Sequence, residues 1–285
     1  MSMPRLSNKK EEKRMSTLKV PGAQLSYAVT GSGPLLILIP GAAGVGEVFR
    51  LLAHLLSAQY QVVTYDRRGF SRSHLDGPQD YEHRLSTDAD DVRRLIEHLT
   101  DQPATVFGNS SGALVALEVI SHFPERVQMV VAHEPPAVAL LPDAPAWWAF
   151  FDGVYDTYRK DGVPKAMHQF ASGTLGSADQ QVIEHARREH ANESTLSNTR
   201  YWKEHELRQY PRVKLDLDAL KAAASRIVPA CGRDSHDQMT SQPNRVLARQ
   251  LGREIVDFPG GHLGFMSHPA AFAQALMNAL GGESL

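Results

Sequence analysis

Short runs of consecutive apolar residues, closed by glycine, proline or aspartate, alternate along this chain with stretches in which apolar positions recur every three or four residues. The first pattern suits strands buried on both faces, and the second suits amphipathic helices. Strands are predicted at 35–40, 61–66, 104–108, 127–133, 226–231 and 254–258, preceded by two strand-like runs on either side of Pro21-Gly22. The clearest helix takes Ser86 or Thr87 as its N-cap. It sets Asp88, Asp90 and Asp91 in its first turn, where they complement the dipole, and lines up Ala89, Val92, Leu95, Ile96 and Leu99 on one face. A last helix after Pro269 carries Phe272, Leu276 and Leu280 at the same spacing. Such alternation predicts an α/β fold, a mostly parallel, doubly wound sheet.

The alternation stops after Pro135-Pro136 and resumes near Leu220. The residues between are helix-like and charged, and hold Trp147, Trp148, Phe150, Phe151, Tyr155, Tyr158, Tyr201 and Trp202. We read them as an inserted helical cap over residues 137–215, with the core formed by 17–136 and 216–285 and a disordered tail at 1–16, where charge outweighs apolar content. A length of 285 residues accommodates one large core plus such an insert.

Composition removes several function classes. The formal net charge is −2 and the two signs are interspersed, so no basic stripe tracks a phosphate backbone and a nucleic-acid partner is not expected. Nor is a membrane partner, since no apolar run approaches the roughly 18 to 20 residues that span a bilayer. The polar first residues lack a signal-peptide core, and the single Cys231, at the end of an apolar run, suits a reducing compartment, so a cytoplasmic location is expected. Histidines and acids show no metal-ligand spacing, His133-Glu134 and the 185–190 segment included, so neither a metal nor another cofactor is expected. The oligomeric state is left open.

The chemistry concentrates at Gly108-Asn109-Ser110-Ser111-Gly112. This G-x-S-x-G run lies between a predicted strand and the helical run 113–120, the context in which a serine stands exposed on a sharp, strained turn. Side chains two positions either way would collide with neighbouring backbone, which explains the glycines. The following helix N-terminus favours negative charge developing beside Ser110, and the Ser111 N–H is placed to donate to an oxyanion. Of thirteen histidines, His262 is singled out by Phe258-Pro259-Gly260-Gly261-His262, the loop between the last strand and the last helix, where a Ser, acid, His order puts the base. Two carboxylates compete for the third role. Glu134 follows the strand at 127–133 and Asp234 follows the one at 226–231, so both fall at the carboxyl edge of the sheet.

These motifs resemble the α/β-hydrolase family. Pro40-Gly41-Ala42-Ala43-Gly44 looks like its oxyanion loop, with Pro40 where His is more usual, and 65–73 looks like its D-x-R-G-x-G-x-S segment, with Phe70 replacing nothing essential. The resemblance implies an α/β-hydrolase fold with an inserted helical cap, and makes the Ala42 N–H the second oxyanion donor. A closer likeness is to the zearalenone lactonases, carried by 108–113, Pro124, Arg126, His133-Glu134-Pro135-Pro136, 258–262 and Ser267-His268-Pro269. It covers the catalytic half of the core and the C-terminal segment, is weak in the cap, and favours Glu134 over Asp234 as the acid. This chain departs from those enzymes by carrying Asp234 as well and by lacking the Asp-Gly of their oxyanion loop. The expected reaction is acyl transfer from an apolar ester or lactone to water. Trp147, Trp148, Phe151 and Trp202 are candidate substrate contacts, or else packing between cap helices. Rival readings are carbon–carbon hydrolysis, cofactor-free haloperoxidation or lyase chemistry on the same scaffold, and a ligand receptor that uses the pocket without turnover. Epoxide hydrolases and haloalkane dehalogenases are disfavoured, because they place a carboxylate where Ser110 stands.

Overall fold

The apolar runs become strands because helices cover both of their faces. A computed structural model describes residues 15–190 and 192–281. Its strands are β1 (Met15–Val20), β2 (Ala23–Thr30), β3 (Leu35–Ile39), β4 (Gln61–Tyr65), β5 (His74–Leu75), β6 (Ala104–Asn109), β7 (Val127–His133), β8 (Ile227–Gly232) and β9 (Val256–Phe258). The helices are α1 (Arg50–Leu56), α2 (Arg84–Leu99), α3 (Ser111–His122), α4 (Ala144–Asp161), α5 (Val163–Thr174), α6 (Ser177–His190), α7 (Glu193–His205), α8 (Leu217–Ala222), α9 (Gln242–Gln250), α10 (Gly264–Ser267) and α11 (Pro269–Ala279). The strands form one sheet in the order β1-β2-β4-β3-β6-β7-β8-β9, with β5 beside β2. From β4 to β9 every pairing is parallel, while β2 runs antiparallel to β1, β4 and β5.

Strand β3 shows how the two faces are filled. Leu36 and Leu38 join Phe49, Leu52, Leu56, Phe272 and Leu276 on one side, and Leu35, Ile37 and Ile39 join Leu95, Leu114 and Leu117 on the other. Register then sets the catalytic edge. Asn109 stands opposite His133, His133 opposite Ala230, and Gly232 opposite Phe258, so the residues just beyond β6, β7, β8 and β9 converge at the carboxyl end of the sheet. Between β7 and β8 the chain leaves the sheet for α4 to α8. Phe151, Val154, Ala166 and Trp202 of that excursion form an apolar cluster with Phe70 of the core, and Ala42 packs against it.

The structure corrects the sequence reading at three places. Met15 and Ser16, assigned to the tail, open β1, because the hairpin around Pro21-Gly22 extends its register to Met15 opposite Ala28; the rest of the tail, 1–14, lies outside the described residues. The helix given an N-cap at Ser86 or Thr87 begins at Arg84, and its first turn holds no acidic residue. Buried Arg84 bonds Glu206 and Tyr201, which draws the helix start forward, while Asp88 and Asp91 are buried partners of Arg67 and Arg68. Strand β5 is too short to leave a pattern.

Candidate active site

At the β6–α3 junction Ser110 has φ 56° and ψ −128°, a conformation that L residues rarely adopt. Neighbouring backbone holds it there: its N–H donates to His133 O at 2.9 Å and its C=O accepts from Ala113 N at 2.8 Å. The glycines permit the bend. A Cβ on Gly108 would lie 2.2 Å from Gly112 O, and one on Gly112 would lie 2.3 Å from Ile39 O. Ser110 is half-buried and Ser111 buried.

His262 is buried in the loop after β9. Its Nδ1 lies 2.6 Å from Glu134 Oε2, and Glu134, fully buried just beyond β7, also has positive φ (51°). The other carboxylate oxygen of Glu134 accepts from Gly232 N at 2.8 Å. Burial would raise the Glu134 pKa, but the His262 hydrogen bond and charge, aided by the Gly232 N–H, outweigh it and bring the carboxyl down to about 2. The ionised Glu134 carboxylate is thus the acceptor for a hydrogen bond from the His262 Nδ1–H. His262 Nε2 and Ser110 Oγ are in no hydrogen bond among the described residues. The Asn109 amide brings their residues together, donating to His262 O at 3.0 Å and standing 3.0 Å from His133 Nδ1. Burial pushes the His133 imidazole down to about 4, so this second histidine is neutral at pH 7 and acts as a packed acceptor.

The two expected oxyanion donors, the N–H groups of Ala42 and Ser111, have no protein acceptor among the described residues. Gly41 abuts the serine; a Cβ there would sit 2.8 Å from Ser110 Cβ. Arg67 holds the loop in place. Its N–H donates to Gly44 O at 2.8 Å, and Nη1 reaches Gly41 O and Ser111 Oγ, each at 3.4 Å. The guanidinium is itself fixed by Asp88, by Glu206 of the inserted segment at 3.0 Å and by the Tyr210 hydroxyl at 3.1 Å. Phe70, for which the sequence offers no purpose, is fully buried and fills the space beside Gly44.

Asp234 is exposed, and its backbone N–H, not its carboxylate, touches the His262 loop through Gly260 O at 3.0 Å. Phe151 and Trp202 are buried in the apolar cluster of the insert, Trp202 packing edge-on to Phe170. Trp147 and Trp148 are partly exposed. Trp148 Nε1 donates to Pro211 O at 3.1 Å, whereas the buried Trp147 Nε1 finds no partner. Cys231 is a packed thiol, pushed up to about 12 by burial. No group of three or more His, Cys, Asp or Glu among the described residues is placed to hold a metal ion, and no described helix is long and apolar enough to cross a membrane. Asp179 and Asn109 are site residues that sequence reasoning missed. Asp179 accepts from the backbone N–H groups of His262 and Leu263, which leave no side-chain pattern, and its one trace is the second glycine of Gly260-Gly261, where a Cβ would meet its carboxylate.

The α/β hydrolase fold family matches residues 34–269 of this chain. An uncharacterized hydrolase, YraK, of Bacillus subtilis is 35% identical over 273 residues, spanning 94% of this chain and 96% of its own length. A zearalenone hydrolase of Cladophialophora bantiana is 28% identical over 269 residues, spanning 93% and 95%. Among solved structures, a thermophilic esterase from Thermogutta terrifontis shares the fold with a TM-score of 0.75 at 20% identity, covering 94% of this chain and 98% of its own. With a strained serine at the β6–α3 bend and a family match across most of its length, this chain belongs to the α/β-hydrolase family of enzymes.

Proposed function

We propose that this enzyme is a serine hydrolase that cleaves an ester or lactone of an apolar small molecule through a Ser110-His262-Glu134 triad and an acyl-enzyme. The observation that carries the reading is the 2.6 Å contact between His262 Nδ1 and buried Glu134, at the sheet edge that presents Ser110 at positive φ. Ser110 Oγ attacks the substrate carbonyl as His262 Nε2 takes its proton, and Glu134 holds the imidazole tautomer and stabilises the imidazolium. The unoccupied N–H groups of Ala42 and Ser111 bind the oxyanion; loss of one such donor typically costs about 10²–10³ in rate. His262 then protonates the leaving alkoxide. Water, deprotonated by the same base, attacks the acyl carbonyl and releases the acid and free Ser110. The apolar cluster shared by the insert and Ala42 supports an apolar acyl or ring portion, and the kinship with a zearalenone hydrolase supports a lactone.

Turnover of p-nitrophenyl butyrate and of zearalenone tests the reading. Ser110→Ala is expected to lose on the order of 10⁶ in kcat. A wild-type protein that binds such compounds without releasing products would point instead to a receptor, and ester turnover that survives Ser110→Ala would remove the acyl-enzyme.

A further inference from the structure

His262 is gripped by its backbone as well as by its ring. Its N–H donates to Asp179 Oδ2 at 2.9 Å, and the next N–H, of Leu263, donates to Asp179 Oδ1 at 2.9 Å. Asp179 stands in the first turn of α6, a helix of the inserted segment, and is 4% exposed. No basic side chain pairs with it among the described residues, so two loop N–H groups carry the task of compensating a buried carboxylate, an arrangement with a high desolvation cost unless geometry is exact. Gly261 reports the same contact from the other side. A Cβ there would lie 2.3 Å from Asp179 Oδ2, so glycine at this position admits the carboxylate to both N–H groups. Its neighbour Gly260 is glycine for a different reason, a backbone φ of 79°. Helix α6 also packs against α10, which begins two residues after His262.

We infer that Asp179 is a positioning residue through which the insert sets the aim of the His262 imidazole. The inference rests on the reading of His262 as the base. Asp179 fixes the peptide before and after the His262 Cα, Asn109 fixes its carbonyl, and Glu134 fixes its ring, so the orientation of the imidazole is over-determined while all three hold. Any movement of α6 away from the loop releases the first of these holds. The inserted segment therefore completes the catalytic geometry where α6 docks on the loop, and a misplacement of about 1 Å costs on the order of 10² in rate.

The test compares full-length wild type, Asp179→Ala, Asp179→Asn and a control, Gln180→Ala, which removes a bond to Leu175 O within the insert without touching the loop. With p-nitrophenyl butyrate, Asp179→Ala is expected to lower kcat about 10²-fold with KM within threefold. Asp179→Asn, which keeps one accepting oxygen, recovers part of that loss, and Gln180→Ala stays within twofold of wild type. The low-field proton resonance of the His262–Glu134 hydrogen bond, sharp in wild type, broadens or vanishes in Asp179→Ala and persists in Gln180→Ala. Unchanged kcat with the resonance in place, or a change confined to KM, overturns the inference. If Asp179→Ala fails to fold, amide exchange in wild type decides: slow exchange at His262 and Leu263 supports the clamp, and exchange at open-loop rates overturns it. A wild type without Ser110-dependent turnover would sink the proposed reaction, whereas resonance and exchange would still judge the clamp.

Discussion

Ser110 and Glu134 are two of the three non-glycine residues with positive φ among the described residues, at 56° and 51°. Strain of order 1–3 kcal/mol at each site persists only where surroundings over-determine it, and here backbone bonds hold both residues: Ser110 N–H to His133 O and Glu134 N–H to Ala230 O. The G-x-S-x-G signature was legible because its glycines answer a steric demand that any such bend makes. The choice between Glu134 and Asp234 was not, because both end strands at the same sheet edge; the fold brings Glu134 to 2.6 Å from His262 Nδ1 and leaves Asp234 exposed. Glu134→Gln is accordingly expected to lower kcat about 10⁴-fold and Asp234→Asn to leave it within a few-fold, measured with one chromogenic ester. Glu134 also links stability to pH. Its folded pKa of about 2 lies below the usual 4.5, so its contribution is complete above pH 4.5 and disappears as pH falls toward 2. Urea titrations across that window should show wild type losing more stability than Glu134→Gln. Lys203 behaves with the opposite sign. Its Nζ is buried without an acceptor and burial lowers it to about 8, so its penalty is full below pH 8 and fades toward pH 10.5. Lys203→Met is expected to raise the thermal midpoint by a few degrees at pH 7, with the gain shrinking near pH 10.

At the scale of elements, the six strands from Leu35 onward that were given bounds lie within one or two residues of those observed, because each is mostly an apolar run buried between helices, whereas two-residue β5 left no pattern. Helix α2 was misplaced at its start because its first turn answers to Glu206, 122 residues away, and no local cap signal reports that. The most constrained element is the β6–α3 bend. Gly112→Ala would drive a methyl into Ile39 O, so the variant is expected to lose activity by at least 10²-fold and to lower the thermal midpoint. Wild-type stability and turnover in Gly112→Ala would contradict the packing described at that bend.

Across the whole molecule, the inserted segment is tied to the core by charge as much as by apolar contact. Glu206 accepts from both Arg67 and Arg84 inside a fully buried cluster, and Arg67 in turn steadies the Gly41 carbonyl beside the oxyanion donors. Removing one partner of such a cluster leaves uncompensated charge, so Glu206→Ala is expected to cost about 3–5 kcal/mol in urea unfolding. That the chain would fold as a doubly wound sheet with a helical excursion was readable from periodicity alone. How the excursion grips the core was not, because Glu206, Tyr210 and Asp179 act through partners that lie far away in sequence. The proposed reaction stands on Ser110 Oγ being the atom that attacks. Peptide mass spectrometry after reaction with a fluorophosphonate measures this most directly: the account predicts a single adduct on Ser110, formed rapidly in wild type and far more slowly in Glu134→Gln, and no adduct, or one on Ser111 or another residue, would contradict it.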